Sequence, residues 1–321
     1  MIMNQHTQTT PANTALATSE SPLEQSGSPK TKFFKGNVTP KADIYQSVTG
    51  RIVRMLEMGV KPWVCPWRRH GISGIPTNFS TGSTYRGINI MLLWCSAAER
   101  GYQDSRWLTY KQANALGGQV RKGETGTTCI FYKTLEKENP DGEPELIPIL
   151  KTFSVFNVEQ IDGLNAGTDS DSEIWQYPAT QFEPIIQVEN LFQRTGAKIT
   201  ERGQLAFFQP STDEIWLPER HLFTDAANFY ATGLHELVHW SGARSRLGRE
   251  MKGVFGSQEY AFEELIAELG SAFLMADLGI AGEVQHENYI GSWLEALKSD
   301  KRYLFKAASA ASKAHLFLIE L

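Results

Sequence analysis

Leu234-His235-Glu236-Leu237-Val238-His239-Trp240 is the stretch whose reading decides the fold of the second half of the chain. On an α-helix, positions four apart lie one turn above each other with Cβ atoms about 5–6 Å apart. His235 and His239 can therefore aim a ring nitrogen each at one metal ion. Glu236 then stands beside the ion without binding it, where a base takes a proton from an attacking water. The bland alternative is a helix that happens to carry two histidines. Around the stretch, Thr224-Asp225 offers an N-cap, Ala226 to Trp240 is mostly apolar, and Gly242 is placed to end the helix. A second helix is predicted from about Gln258 to Leu278, closed by Gly279, and carries Glu263-Glu264-Leu265-Ile266-Ala267-Glu268. Two carboxylates at i and i+4 are odd on a face that otherwise reads Tyr260, Ala261, Leu265, Ala272. Glu264 is the expected third metal ligand, in preference to Glu263 or Glu268. Glu268 is expected to hold a histidine ring in the right tautomer. If there is no metal, all three glutamates are surface charges.

Upstream, Gln204 to Phe208 and Glu214 to Leu217 are short β-rich runs around Pro210-Ser211-Thr212-Asp213, which reads as a hairpin. Such a strand beside a metal helix either holds an extended peptide by backbone pairing or is plain scaffold. Hairpin, metal helix and glutamate helix together resemble the zincin metallopeptidases of the glutamate-ligand type, over roughly Gln187 to Leu321. The expected cofactor is Zn2+, with Mn2+ or another divalent ion as the alternative.

A chain of 321 residues is long enough for two domains. It has no apolar run of the roughly 18 residues needed to span a bilayer. Nor do its first residues show a basic segment followed by an apolar one, so a cytoplasmic location is expected and no membrane partner. Cys65, Cys95 and Cys129 are odd in number and far apart, forming neither a disulfide framework nor a zinc knuckle. The net charge of −5 hides an asymmetry: Lys30 to Lys133 holds 16 Lys/Arg against 5 Asp/Glu, a surplus of +11 that leaves −16 for the rest. A basic part joined to an acidic part suits a protein in which one domain meets a polyanion and the other does something else. A basic face can equally be a solvated one.

Met1 to about Pro29 is rich in Thr, Ser, Gln, Pro and Asn and is expected to be a flexible tail. An N-cap and N1 proline at Thr39-Pro40 predict a helix with Ile44, Val48, Ile52 and Leu56 on one face, ended by Gly59. Then Lys61-Pro62-Trp63-Val64-Cys65-Pro66-Trp67-Arg68-Arg69-His70 interleaves indoles, prolines and cations. Bases of a single strand stack on such rings while guanidinium groups meet phosphates; the alternative reading makes Trp63 and Trp67 packing anchors. A helix is expected from about Asn89 to Arg100. A capping box at Thr109-Tyr110-Lys111-Gln112 opens a short helix ending at Gly117-Gly118. Val120 and Thr127 to Tyr132 are predicted as paired strands, continued after an acidic loop, Glu136 to Glu145, by Leu146 to Val158. The implied boundaries are a tail over 1–38, a first domain over 39–162, a linker over 163–180 and a second domain over 181–321.

The order Asn78…Tyr85-Arg86-Gly87-Ile88-Asn89…Gly101-Tyr102…Trp107-Leu108-Thr109-Tyr110-Lys111-Gln112…Gly117-Gly118…Val120-Arg121-Lys122-Gly123 is similar to the N-terminal DNA-binding domain of the ArdC antirestriction proteins and of TraC-type plasmid primases. With the metal helix behind it, the chain from about Lys41 onward resembles the ArdC family as a whole. The resemblance implies an α+β protein of two domains, a mixed α/β single-stranded-DNA-binding domain and a zincin-like domain. It also implies that incoming conjugative DNA is shielded from restriction enzymes, with restriction endonuclease subunits as further partners and delivery to the recipient cell. The candidate DNA contacts are Trp63, Trp67, Arg68, Arg69, Asn78, Tyr85, Arg86, Asn89, Trp107, Tyr110, Lys111, Gln112, Arg121 and Lys122. His286, ahead of an amphipathic helix through Ile290, Trp293, Leu294 and Leu297, is a candidate to polarise a substrate carbonyl across the metal cleft. An Ala-rich helix from about Tyr303 to Leu318 closes the chain. Primer synthesis is disfavoured, because no cluster of paired acidic residues of the two-metal polymerase kind is present.

Overall fold

The computed structural model describes residues 43–63, 74–138, 144–164, 182–251, 253, 257–280 and 289–321, and of 133–138 and 144–149 the backbone alone. The first helix, α1 (Ile44–Glu57), starts later than Thr39-Pro40, which lie outside the described residues. Its N-cap is Asp43, whose carboxylate accepts the Tyr45 and Gln46 amides at 3.0 and 3.3 Å. Val48, Ile52 and Leu56, four residues apart, form its buried face.

Strand β1 (Thr77–Asn78) leads into α2 (Ile88–Arg100), which ends on Gly101 at φ 73°, a left-handed conformation that glycine adopts without Cβ strain. After β2 (Arg106–Leu108), the helix α3 (Tyr110–Ala115) opens on the expected reciprocal cap, Thr109 side chain to Gln112 amide and Gln112 side chain to Thr109 amide. The strand β3 (Gln119–Val120) precedes β4 (Thr127–Glu138), β5 (Pro144–Asn157) and β6 (Ile161–Asp162). One sheet runs β1-β2-β5-β4, with β1 and β2 parallel and the rest antiparallel.

Two expectations are corrected here. The segment at Val120 pairs with β6 and not with Thr127 to Tyr132, because Gly118 brings the two backbones close: a Cβ there would fall 2.6 Å from Leu164 Cδ2. The acidic segment is not a loop throughout. The ladder continues through Glu136↔Leu146, Lys137↔Glu145 and Glu138↔Pro144.

The second half begins with α4 (Ile186–Thr195), an amphipathic helix not foreseen in the sequence, whose Val188, Leu191 and Phe192 are buried. A three-stranded sheet follows in the order β7-β9-β8, from β7 (Lys198–Glu201), β8 (Phe207–Gln209) and β9 (Glu214–Leu217). The hairpin is β8/β9, with Phe208 opposite Ile215, and β7 lies parallel to β9. Then come α5 (Ala226–Ser241), capped by Asp225, α6 (Gln258–Asp277), capped by Ser257, α7 (Ile290–Ser299) and α8 (Tyr303–Glu320). Glycine sets how closely α5 seats. A Cβ on Gly233 would lie 2.7 Å from Phe192 Cζ, and one on Gly270 of α6 would lie 2.9 Å from both Val238 methyls.

One apolar cluster runs from Ile52, Trp63, Met91 and Trp94 to Leu237, Phe273, Trp293 and Leu304. Trp63 meets Trp293 edge-on at 5.7 Å, and Trp94 meets Phe273 in the same way at 5.8 Å. Thus α1 packs on α7 and α2 on α8, and Ala42–Leu321 forms one compact unit. Two smaller clusters, around Trp107 and around Leu108, stay within the first half. The chain is α+β, and among the described residues no helix is long and apolar enough to cross a membrane.

Candidate metal centre

Helices α5 and α6 are buried over most of their length, so polar side chains on their shared face must find partners inside the protein. His235 and His239 stand one turn apart on that face, their Nε2 atoms 3.2 Å from each other. The carboxylate of Glu264 closes the triangle, with Oε2 3.4 Å from His235 Nε2 and Oε1 3.5 Å from His239 Nε2. Donor atoms of these three residues all lie within 4.8 Å of one another, the one such His/Cys/Asp/Glu group among the described residues. Two imidazoles and a carboxylate are a donor set suited to a divalent ion such as zinc.

The electrostatics point the same way. Burial pushes the Glu264 carboxyl up, but the bonds to His235 and His239 outweigh it and hold it well below the usual carboxylate range. Burial pushes His239 down, yet Glu263 and Glu264 override it and push the imidazole up to about 10. The pocket therefore favours positive charge between its side chains, which is what a cation site requires.

Glu263 is the carboxylate on the outer nitrogen of His239: its Oε1 lies 3.2 Å from Nδ1. Arg249 anchors Glu263 in turn, through Nη2 at 2.7 Å and Nε at 3.1 Å, and donates to the Val238 carbonyl and the Ser241 hydroxyl. Glu268 is buried, at 3% exposure, one turn beyond Glu264. Sequence spacing places Glu268 on the face of Glu264, beside the histidines. Arg249, whose arrival from the loop after α5 no periodicity shows, fixes Glu263 against His239. Replacing Glu263 by alanine is expected to cost about 3–5 kcal/mol in urea unfolding, because it leaves a buried Arg249 without its carboxylate. Loss of the orienting group should also weaken metal binding about 10–100-fold by calorimetric titration.

Glu236 is buried at 4% exposure and lines a cleft of about 320 Å³ together with both histidines, Glu263, Glu264, Tyr260, Tyr289 and the edge-strand residues Ala206 to Phe208. The phenols of Tyr260 and Tyr289 lie 3.4 Å apart, and burial, followed by the neighbouring hydroxyl and the Glu264 charge, pushes the Tyr260 phenol far up. Neither tyrosine was singled out from the sequence. The available signal was Tyr260 standing one turn before Glu264. His286 lies outside the described residues.

The proposed DNA contacts divide. Trp63 and Trp107, at 2% and 1% exposure, are packing residues with no ring face open to a base. Asn78 donates to Tyr85 and Gln112 and accepts the Ser80 and Thr81 amides, so these polar groups tie β1 to α3. Burial pushes the Tyr85 phenol up to about 12. Asn89 brackets the backbone of Ile130 with two bonds of 2.8 Å, fastening α2 to β4. Arg121 is engaged with Glu124, Asp162 and the Glu159 carbonyl. Arg86, Tyr110, Lys111 and Lys122 are exposed. Trp67, Arg68 and Arg69 lie outside the described residues.

A family model described as the N-terminal domain of anti-restriction factor ArdC matches residues 42–156, and one described as a zincin-like metallopeptidase matches residues 186–310. Protein y4eC of Sinorhizobium fredii is 39% identical over 282 residues, covering 84% of this chain and 90% of its own length. A DNA primase TraC of Escherichia coli is 38% identical over 303 residues, 88% of this chain, which spans only 20% of the primase. The metal-free crystal structure of antirestriction protein ArdC from plasmid R388 superposes with a TM-score of 0.75 at 43% identity, covering 87% of this chain and 97% of the other. Its Mn(II)-bound form gives 0.72 at 42% identity over the same shares. With both halves matched in order and the histidine and glutamate side chains converged, the chain belongs to the ArdC family of antirestriction proteins, an ArdC-type N-terminal domain joined to a zincin-like one.

Proposed function

We propose that the protein binds single-stranded DNA and shields incoming conjugative plasmid DNA from restriction endonucleases, and that its second half carries a divalent metal on His235, His239 and Glu264. The observation that carries this reading is the pairing of an ArdC-type N-terminal domain with a converged two-histidine, one-glutamate site in one compact unit. Exposed cations on the basic half, Arg86, Lys111 and Lys122 among them, would meet phosphates. Affinity for a labelled oligonucleotide should then fall steeply with salt, log–log slope about −0.7 per phosphate contact, whatever its sequence. An anisotropy titration checks this on the full chain, and affinity flat from low to high salt would remove DNA binding from the reading.

The cleft favours a second reading, an active metallopeptidase that cuts a DNA-bound protein such as a restriction subunit. Zinc, or manganese as in the plasmid R388 protein, would supply Lewis acidity at the scissile carbonyl. Glu236 would take the proton of the attacking water and pass it to the leaving amine. Tyr260, which lines the cleft, would donate its phenol proton in a hydrogen bond to the carbonyl oxygen as charge builds there. Strand β8, at the edge of its sheet, would pair with the peptide backbone.

A further inference from the structure

A second cavity, of about 270 Å³, lies where the start of α2 meets one face of α8, far in sequence from the metal helix and on the seam between the two halves. Its rim carries two cations, Arg86 and Lys313, neither of which forms an ion pair among the described residues. Between them α2 begins on Gly87, at φ 57°, which supplies no side-chain oxygen to the helix amides. Free amides and positive charge at a helix start attract phosphate, but a bare helix start is common. The deeper observation is Ser312. This residue is 94% buried, its side chain lines the same cavity, and its hydroxyl has no hydrogen-bond partner among the described residues. A hydroxyl on an otherwise buried side chain that lines a cavity and bonds to no protein group is free to donate to or accept from a ligand there. Opposite the polar rim the wall is apolar and aromatic, made by Ile130, Phe305 and the half-exposed ring of Tyr132.

We propose that this pocket takes one nucleotide of a bound DNA strand, its phosphate held by Arg86, Lys313 and the Ser312 hydroxyl and its base laid against Ile130, Phe305 and Tyr132. The proposal rests on the reading that the protein binds single-stranded DNA, and it locates part of that binding. Phosphate chemistry on one side and a flat apolar wall on the other are the two demands of a nucleotide held out of a stack. Because Ser312 and Lys313 belong to α8, the strand would be fastened to both halves at once, and the metal-bearing half would share in DNA affinity.

The test uses the full chain and a short fluorescein-labelled oligothymidine. Lys313→Ala should weaken binding roughly fivefold to tenfold and make the log–log salt slope shallower by about 0.7, the signature of one lost phosphate contact. Ser312→Ala, which removes the hydroxyl with little change in volume, should weaken binding in the same direction without changing that slope. Lys306→Ala, on α8 but outside the pocket, should leave both values unchanged. If the wild type binds the oligonucleotide and Lys313→Ala binds identically, or Lys306→Ala costs as much, the pocket assignment fails while the DNA-binding reading stands. If the wild type binds no oligonucleotide at any salt, both fail. If thymidine monophosphate raises the melting temperature of the wild type but not of Lys313→Ala, and oligonucleotide affinity is the same in both, the pocket serves free nucleotides and the proposal is overturned.

Discussion

Glu236→Gln is expected to lower peptide hydrolysis in the metal cleft by roughly 10²–10⁴-fold, the range that a positioned general base supplies. Glutamine keeps the size of the side chain and its place in the cleft wall but cannot accept the proton. Glu236 is not one of the three converging donors, so metal content and thermal midpoint should match the wild type. The same variant separates the two functional readings when assayed for protection of unmodified DNA from a restriction endonuclease. Protection that disappears with hydrolysis makes the metal half an enzyme acting on a protein. Protection that survives intact assigns shielding to DNA binding, with the metal site serving another purpose.

Trp293→Ala should cost about 3–5 kcal/mol of stability by the large-to-small rule for buried aromatics. The indole is fully buried, stacks edge-on against Trp63 at 5.7 Å and lies 6.1 Å from the Tyr289 ring. Its Nε1 donates to the Ala261 carbonyl at 2.8 Å, one turn before the glutamates of α6. Losing it opens a cavity beside α6 and removes a second hydrogen bond to that helical carbonyl. Chemical unfolding measures the cost, and a companion Trp293→Phe, which restores volume without the donor, should recover most of the packing contribution. Equal losses in the two variants would show that the hydrogen bond, and not the ring, dominates.

The metal half was legible because its signals are local. The helix cap at Asp225, the four-residue spacing of the histidines and the turn at Asp213 are all set by neighbours within a few positions. The first half was legible as a family pattern and not as chemistry. Its recurrent polar residues, Asn78, Tyr85, Asn89 and Gln112, look like ligand contacts in a linear sequence, yet they fasten β1, α2, α3 and β4 to one another. A polar residue that holds a fold together and one that holds a ligand have the same composition, and only long-range placement separates them. The same limit hid Arg249, Tyr289 and the α8 face, whose partners lie on other elements.

The indole contacts across the seam bear on how such a protein is passed on. Trp94 is covered by Phe273 of α6, Trp63 by Trp293 of α7, and Tyr45 by Phe305 of α8. A gene rearrangement that transmitted the first half alone would leave those rings facing water, a surface prone to aggregation. The two halves thus depend on each other for solubility, and the first half expressed alone is expected to aggregate.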